Sequence, residues 1–290
     1  MRGLRIGGVV VAALVAALGL HTLARHQGWL SDRLSPQALA AFLDPHTVVK
    51  TPPGDGPFPA VLLFSGCDGV HENLDLWSDA FLAEGYASVI VDSHTPRDLL
   101  DLEAWRLVCA GQLLPGPERS GDVLATMAAV SAQPDIDGDR LTLVGMSHGG
   151  WSIMDLMTRE LEGEPPVNLA TLPDAYRQGV QGVEAVVLVY PWCGLASRAR
   201  HFPWQNGAPV LFLLAELDVI APSGECEIVA GSMATEGHPV ETVMYAGATH
   251  GFDQQHSSPL SVLRFDAEIT RDAIARGVRF VEAAAETDGR

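Results

Sequence analysis

The chain has a single lysine, Lys50, beside seventeen arginines and thirty-six acidic residues, which leaves a net charge of −18 over 290 residues. A polyphosphate backbone binds a cationic face, so nucleic acid is excluded as a partner. Cysteine is also scarce. There are four, with no C-x-x-C, and none of the ten histidines falls in H-E-x-x-H or another zinc spacing. Neither a metal site nor a cofactor is expected. The nineteen prolines and twenty-nine glycines are scattered, and no repeat of about 20–50 residues is present, which excludes collagen-like, low-complexity and solenoid architectures. What remains is a chain with 47% apolar residues, enough to bury one large core.

Met1, Arg2 and Arg5 precede an uncharged, largely apolar run from Ile6 to Leu20. It reads as an export element. The next residues, His21-Thr22-Leu23-Ala24-Arg25, lack the small-x-small pattern of a cleavage site, and extension through Ala24 gives roughly 28 Å of helix, close to the ~30 Å thickness of a bilayer core. Residues 1–25 are therefore expected to be a signal-anchor or signal peptide. The arginines would stay on the cytoplasmic side and the rest of the chain would lie outside, periplasmic or extracellular. The other reading is a buried N-terminal helix, but the run has no amphipathic stripe. Residues 26–45 are expected to be a tether with a short amphipathic stretch at 36–43, and residues 46–290 the folded domain.

An even number of cysteines suits an oxidising compartment. Cys67, Cys109, Cys193 and Cys226 allow three pairings. The sequential one, Cys67 with Cys109 and Cys193 with Cys226, closes two loops worth ~3–4 kcal/mol each in the chain-entropy model.

From residue 60 onward short apolar runs alternate with helical patterns. Runs at 60–65, 87–92, 141–145, 185–190, 210–215 and 242–245 lack in-out alternation, as strands covered on both faces require. Helices are expected at 77–84, 119–132, 151–161 and 266–285, with a turn at 135–138. The predicted fold is α/β: a mostly parallel doubly wound sheet flanked by helices. Residues 163–182, with Pro165, Pro166 and Pro173, read as an excursion over one end of the sheet.

Gly145-Met146-Ser147-His148-Gly149 joins one of these strands to a helix. A hydroxyl is a weak nucleophile unless it is held exposed beside a base, and G-x-S-x-G between strand and helix supplies the exposure. Ser147 is the candidate nucleophile. The base should come after the last strand, where His250 stands in Gly247-Ala248-Thr249-His250-Gly251-Phe252; His238 and His256 are its rivals, and His148 could line the pocket. The third member should be a carboxylate after the preceding strand. Asp218 is the first choice, Glu216 the second and Asp253 the third. A Cys193–Cys226 bond would brace the loop of Asp218. The oxyanion needs two amides, expected from His148 and from Cys67 in Phe64-Ser65-Gly66-Cys67-Asp68-Gly69. A disulfide is preferred for Cys67 over a nucleophilic thiol.

With these residues in place the chain resembles the α/β-hydrolase superfamily and, within it, the dienelactone hydrolase family. The resemblance runs roughly from 60 to 280. It rests on the elbow, the Ser65–Gly69 loop, Gly85-Tyr86 leading to Val91-Asp92-Ser93, Arg119 with Asp122, and the His250 loop. It implies the α/β-hydrolase fold and a serine hydrolase of carboxylic esters or lactones, with Ser147, Asp218 and His250 at the family's triad positions. Two departures stand out: a serine where well-known dienelactone enzymes have cysteine, and an oxyanion loop opening Ser-Gly where His-Gly is common. A peptidase or an acyltransferase could use the same three residues, and a non-catalytic binding protein could keep the fold. Residues 99–114 and 156–176 either roof the acyl pocket, with Trp192 and Trp204 on its far side, or serve plain core and helix packing, which is at least as common. Arg97 and Arg119 either bind a substrate carboxylate or form internal ion pairs, which is the commoner fate.

Overall fold

Branched apolar residues dominate the runs that become strands, and their lack of alternation calls for a sheet buried on both faces. The computed structural model describes residues 2–99, 104–160, 165–256 and 261–287. In chain order the elements are α1 (Arg2–His26), α2 (Pro36–Leu43), β1 (Thr47–Lys50), β2 (Phe58–Phe64), α3 (Glu72–Ala83), β3 (Ala87–Val91), α4 (Ala104–Cys109) and α5 (Gly116–Ser131). They continue with β4 (Ile136–Met146), α6 (His148–Met157), α7 (Asp174–Gln181), β5 (Val183–Val189), β6 (Val210–Ala215), α8 (Ser223–Thr235), β7 (Val240–Tyr245) and α9 (Ala267–Thr287). The seven strands form one sheet in the order β1-β3-β2-β4-β5-β6-β7. All neighbours are parallel except β1 with β3.

The expected α/β sheet is therefore present. One core layer packs Val123, Met127, Ile153 and Leu156 against Leu62, Leu143 and Phe212. The other packs Trp77, Phe81, Val278 and Val281 against Leu63, Val144 and Val187. Parallel strands with helices on both faces leave their carboxyl ends as one common edge, where loops converge.

Several expectations need correction. The segment 135–138 is not a separate turn before the strand: β4 already starts at Ile136, which pairs with Phe58, and the register shifts between Phe58 and Ala60. β1 escaped notice because it is a four-residue edge strand with only partial burial. α4, α7 and α8 were not anticipated either; α8 buries Cys226, Val229, Ala230 and Met233 at helical spacing, but the exposed Ile228 beside them blurs that stripe in the sequence. α6 ends at Met157, and Leu161 lies outside the described residues. Residues 26–45, expected as a tether, pack closely. Leu39 and Leu43 of α2 are fully buried in the core, Ser35 caps α2 by accepting from the Ala38 amide, and Leu34 bridges to Leu169.

The four cysteines form Cys67–Cys109 and Cys193–Cys226, 42 and 33 residues apart in sequence. Loops of that length correspond to about 4 kcal/mol each in the chain-entropy model. Two disulfides and an N-terminal apolar helix are consistent with export.

Candidate active site

Ser147 sits between the carboxyl end of β4 and the first residue of α6, with φ 49° and ψ −109°. Such a backbone costs about 1–3 kcal/mol for a residue with a side chain and persists only where its surroundings fix it. Here the Ser147 amide donates to Val189 O, and the Ser147 carbonyl accepts from the Trp151 and Trp192 amides. The flanking glycines are required by space. A Cβ on Gly145 would lie 2.6 Å from the Gly150 nitrogen, and one on Gly149 would collide with the Phe64 carbonyl.

The loop after β7 brings His250 to this turn from 103 residues away. Its Nε2 lies 2.9 Å from Ser147 Oγ, and its Nδ1 lies 2.6 Å from Asp218 Oδ2. Asp218 comes just after β6, and its other oxygen accepts from the Ile220 and Ala221 amides at 2.9 and 2.7 Å. An ionised carboxylate only accepts, so Nδ1 donates to it and the Nε2 lone pair faces the serine hydroxyl. The three side chains are largely buried, which limits competition from water.

The rival residues lie elsewhere. Glu216 is exposed and accepts from the Gly247 amide at 2.8 Å. Asp253 is fully buried but accepts from Tyr190 OH, Asn73 Nδ2 and Trp77 Nε1, and burial pushes its carboxyl upward. It lies behind His250: the ring of Tyr190, which donates to it, meets the His250 ring edge-on at 4.8 Å. His238 bonds Ala208 O, at the amino-terminal edge of the sheet. His256 is exposed, 3.3 Å from Glu72.

The loop of Cys67 and the helix start at His148 both adjoin the serine. His148 opens α6, so its amide has no carbonyl within the helix to bond. A Cβ on Gly66 would lie 3.8 Å from Ser147 Cβ, in ordinary contact. The Cys109 bond fixes Cys67, which packs with Leu99, Val108, Leu113 and Leu114; residues 100–103 of the expected roof lie outside the described residues. The second roof segment is corrected in part. Leu169 is buried in the core layer with Val123 and Met127, with Tyr176 packed on it, and residues 161–164 lie outside the described residues. Trp192 does approach the site, its ring 4.3 Å from that of Trp151. Trp204 does not: it donates to Asn206 and packs on His238, at the opposite edge.

Arg119 is the largest surprise. Fully buried on α5, it donates through Nη1 to Ser65 O at 2.8 Å and to His148 Nδ1 at 3.2 Å, and through Nη2 to Ser65 Oγ at 3.1 Å. One cation thus ties the loop of Cys67 to the residue after Ser147. Burial, reinforced by the Arg119 charge, holds His148 neutral, well below the usual imidazole range. Burial likewise pushes His94 down to about 3, so Arg119 supplies the positive charge beneath this loop. Arg97 grips Asp122 with two bonds of 2.9 and 2.8 Å. Both arginines are committed internally. Their local sequence gave no sign of which carbonyls they would reach.

Replacing Arg119 with methionine keeps much of the volume and removes every donor. Leaving Ser65 O and His148 Nδ1 orphaned should cost about 3–5 kcal/mol of stability. Loosening the loop should also lower kcat for an ester more than it raises KM. Thermal melts and steady-state kinetics of Arg119→Met check this; an unchanged kcat in a folded variant would contradict the bracing role.

The comparisons with known proteins agree with this architecture. The sequence pattern of the dienelactone hydrolase family matches residues 172–285. Among solved structures, a dienelactone hydrolase from Anabaena variabilis superposes with a TM-score of 0.56 at 13% identity, over 82% of this chain and 90% of that one. A dienelactone hydrolase-like promiscuous phosphotriesterase from metagenomic libraries gives 0.60 at 16%, over 82% and 98%. Thermogutta terrifontis esterase 2, phosphonylated by cyclosarin, gives 0.59 at 15%, over 82% and 88%. No curated protein matches significantly.

Proposed function

We propose, on the premise that the chain is a dienelactone hydrolase-like α/β hydrolase, that it cleaves a carboxylic ester or lactone through an acyl-enzyme on Ser147. The observation that carries the reading is the row Asp218–His250–Ser147, spaced at 2.6 and 2.9 Å. In the first step His250 Nε2 takes the hydroxyl proton as Ser147 Oγ attacks the carbonyl carbon. The amides of Cys67 and His148 receive the oxyanion, each contributing about 3 kcal/mol. His250 then passes its proton to the departing alkoxide. Water attacks the acyl-enzyme by the same route and releases the acid. Asp218 keeps the imidazole in the working tautomer and stabilises the imidazolium. Residues 1–25 would hold this domain, residues 46–290, on the outer side of a membrane.

The test is covalent. A fluorophosphonate should phosphonylate the full chain once, with loss of fluoride, and the modified peptide should contain Ser147. Turnover of a panel of aryl esters and lactones should stop in proportion. Ester turnover that survives complete labelling, or a label on another residue, would overturn the assignment.

A further inference from the structure

We propose that this site draws its substrate from a lipid bilayer: its mouth lies against the membrane interface, and the substrate is an uncharged amphiphilic ester whose apolar part rests in the acyl layer. The proposal rests on the hydrolase reading above and narrows its substrate class.

The first observation is α1. Its stretch Val9–His26 spans 18 residues with a mean hydropathy of 1.6; residues 9–20 are exposed, and only the last turns, which meet the domain, are half-buried. Leu14, Val15, Leu18 and Leu20 are all exposed. A helical stretch that is apolar all round and, up to Leu20, exposed on every side is suited to lipid rather than water. Just beyond it Trp29 is 70% exposed, an amphipathic ring of the kind that settles at headgroup level.

The second observation is where α1 ends. His21 and Thr22 hydrogen-bond to Gln112, Arg25 pairs with Glu118 at 3.6 Å, and the His26 ring lies 5.5 Å from that of Trp151. Trp151 meets the ring of His148, the neighbour of Ser147, at 5.1 Å. These partners sit at the amino-terminal ends of α5 and α6 or just before them. That is the carboxyl edge of the sheet, which carries the candidate site.

The third is the rim itself. The loops that deliver the site residues carry apolar side chains turned outward. Leu107 lies on α4, which Cys109 ties to the Cys67 loop. Leu195 is 76% exposed beyond Cys193, and Leu217, Val219 and Ile220 flank Asp218, Val219 being 72% exposed. Val262 is 54% exposed in a segment held to the His250 loop, where the Arg264 amide donates to Thr249 Oγ1. Each contributes transfer free energy only if something apolar covers it. The occupant is a bilayer because α1, fixed to the same edge, calls for the same solvent. With a net charge of −18, the chain favours zwitterionic over anionic lipid.

The experiment uses the full chain in phosphatidylcholine vesicles and compares turnover of a long-chain ester dissolved in the bilayer with that of a water-soluble acetate ester. In the double variant Leu195→Asp, Val262→Asp the ratio of embedded to soluble turnover should fall at least ~10-fold, since placing carboxylates at an acyl interface is costly. An unchanged ratio overturns the proposal. Independently, a Leu195→Trp reporter should add quenching by lipids brominated on their acyl chains beyond that of the parent's six tryptophans. A reporter that adds none overturns it even if the double variant misfolds, and so does a rim covered instead by a second copy of the chain. A protein that takes the fluorophosphonate on Ser147 but hydrolyses only soluble esters defeats this proposal alone. One that neither labels nor turns over any ester defeats the hydrolase reading with it.

Discussion

Ser147→Ala is expected to reduce ester turnover by on the order of 10⁴-fold or more and to abolish fluorophosphonate labelling, while the protein stays folded. Removing the hydroxyl deletes the atom that His250 Nε2 faces at bonding distance, and the nearby candidates are not placed to take over the attack. Cys67 is held in its disulfide, and Ser65 Oγ accepts from Arg119. The fold should tolerate the change because the turn is shaped by backbone bonds to Val189, Trp151 and Trp192 and by the space left at Gly145 and Gly149. A melting temperature within a few degrees of the parent, together with lost turnover, is the expected pair of results. Turnover within tenfold of the parent would refute the assignment.

Asp218→Asn should produce a loss of similar rank, on the order of 10⁴-fold in kcat, by changing a proton's position rather than the geometry. The Ile220 and Ala221 amides both point at Oδ1 of residue 218. An asparagine there must present its oxygen to those donors, which leaves its NH₂ facing His250 Nδ1. Nδ1 then has to accept, the ring proton moves to Nε2, and the lone pair that should receive the serine proton is gone. Glu216→Gln is the control, since Glu216 accepts only from the exposed Gly247 turn and its loss should leave kcat within a few-fold. Kinetics of the two variants side by side check the argument. Equal effects, or a weaker one at 218, would mean that the tautomer is not set by this carboxylate.

The elements that could be read from sequence are those whose signal is local. Six of the seven strands announced themselves as continuous apolar runs, and the elbow is written in five consecutive residues. The edge strand Thr47–Lys50 stayed hidden because it is four residues long and only half-buried, and the helix Ser223–Thr235 because small residues and the exposed Ile228 blur its buried face. The segment 36–43 was recognised as amphipathic, but its apolar face reveals only that it needs a partner. That Leu39 and Leu43 find that partner in the main core depends on where α5 lies.

Chain order and composition by themselves determined an α/β chain with an apolar N-terminal run, a serine in a strand-to-helix turn, a histidine after the last strand and an even set of cysteines. Only the tertiary structure distinguished Asp218, Glu216 and Asp253, which are chemically alike, by what surrounds them: backbone amides and an imidazole, a surface turn, or a buried phenol and indole. It also decided that Arg119 braces a loop 54 residues away and that Trp204 belongs to the far edge. Periodicity and turn chemistry are properties of neighbours along the chain. Which side chain reaches which partner is set by sheet order and strand register, and these emerge only when the whole core packs.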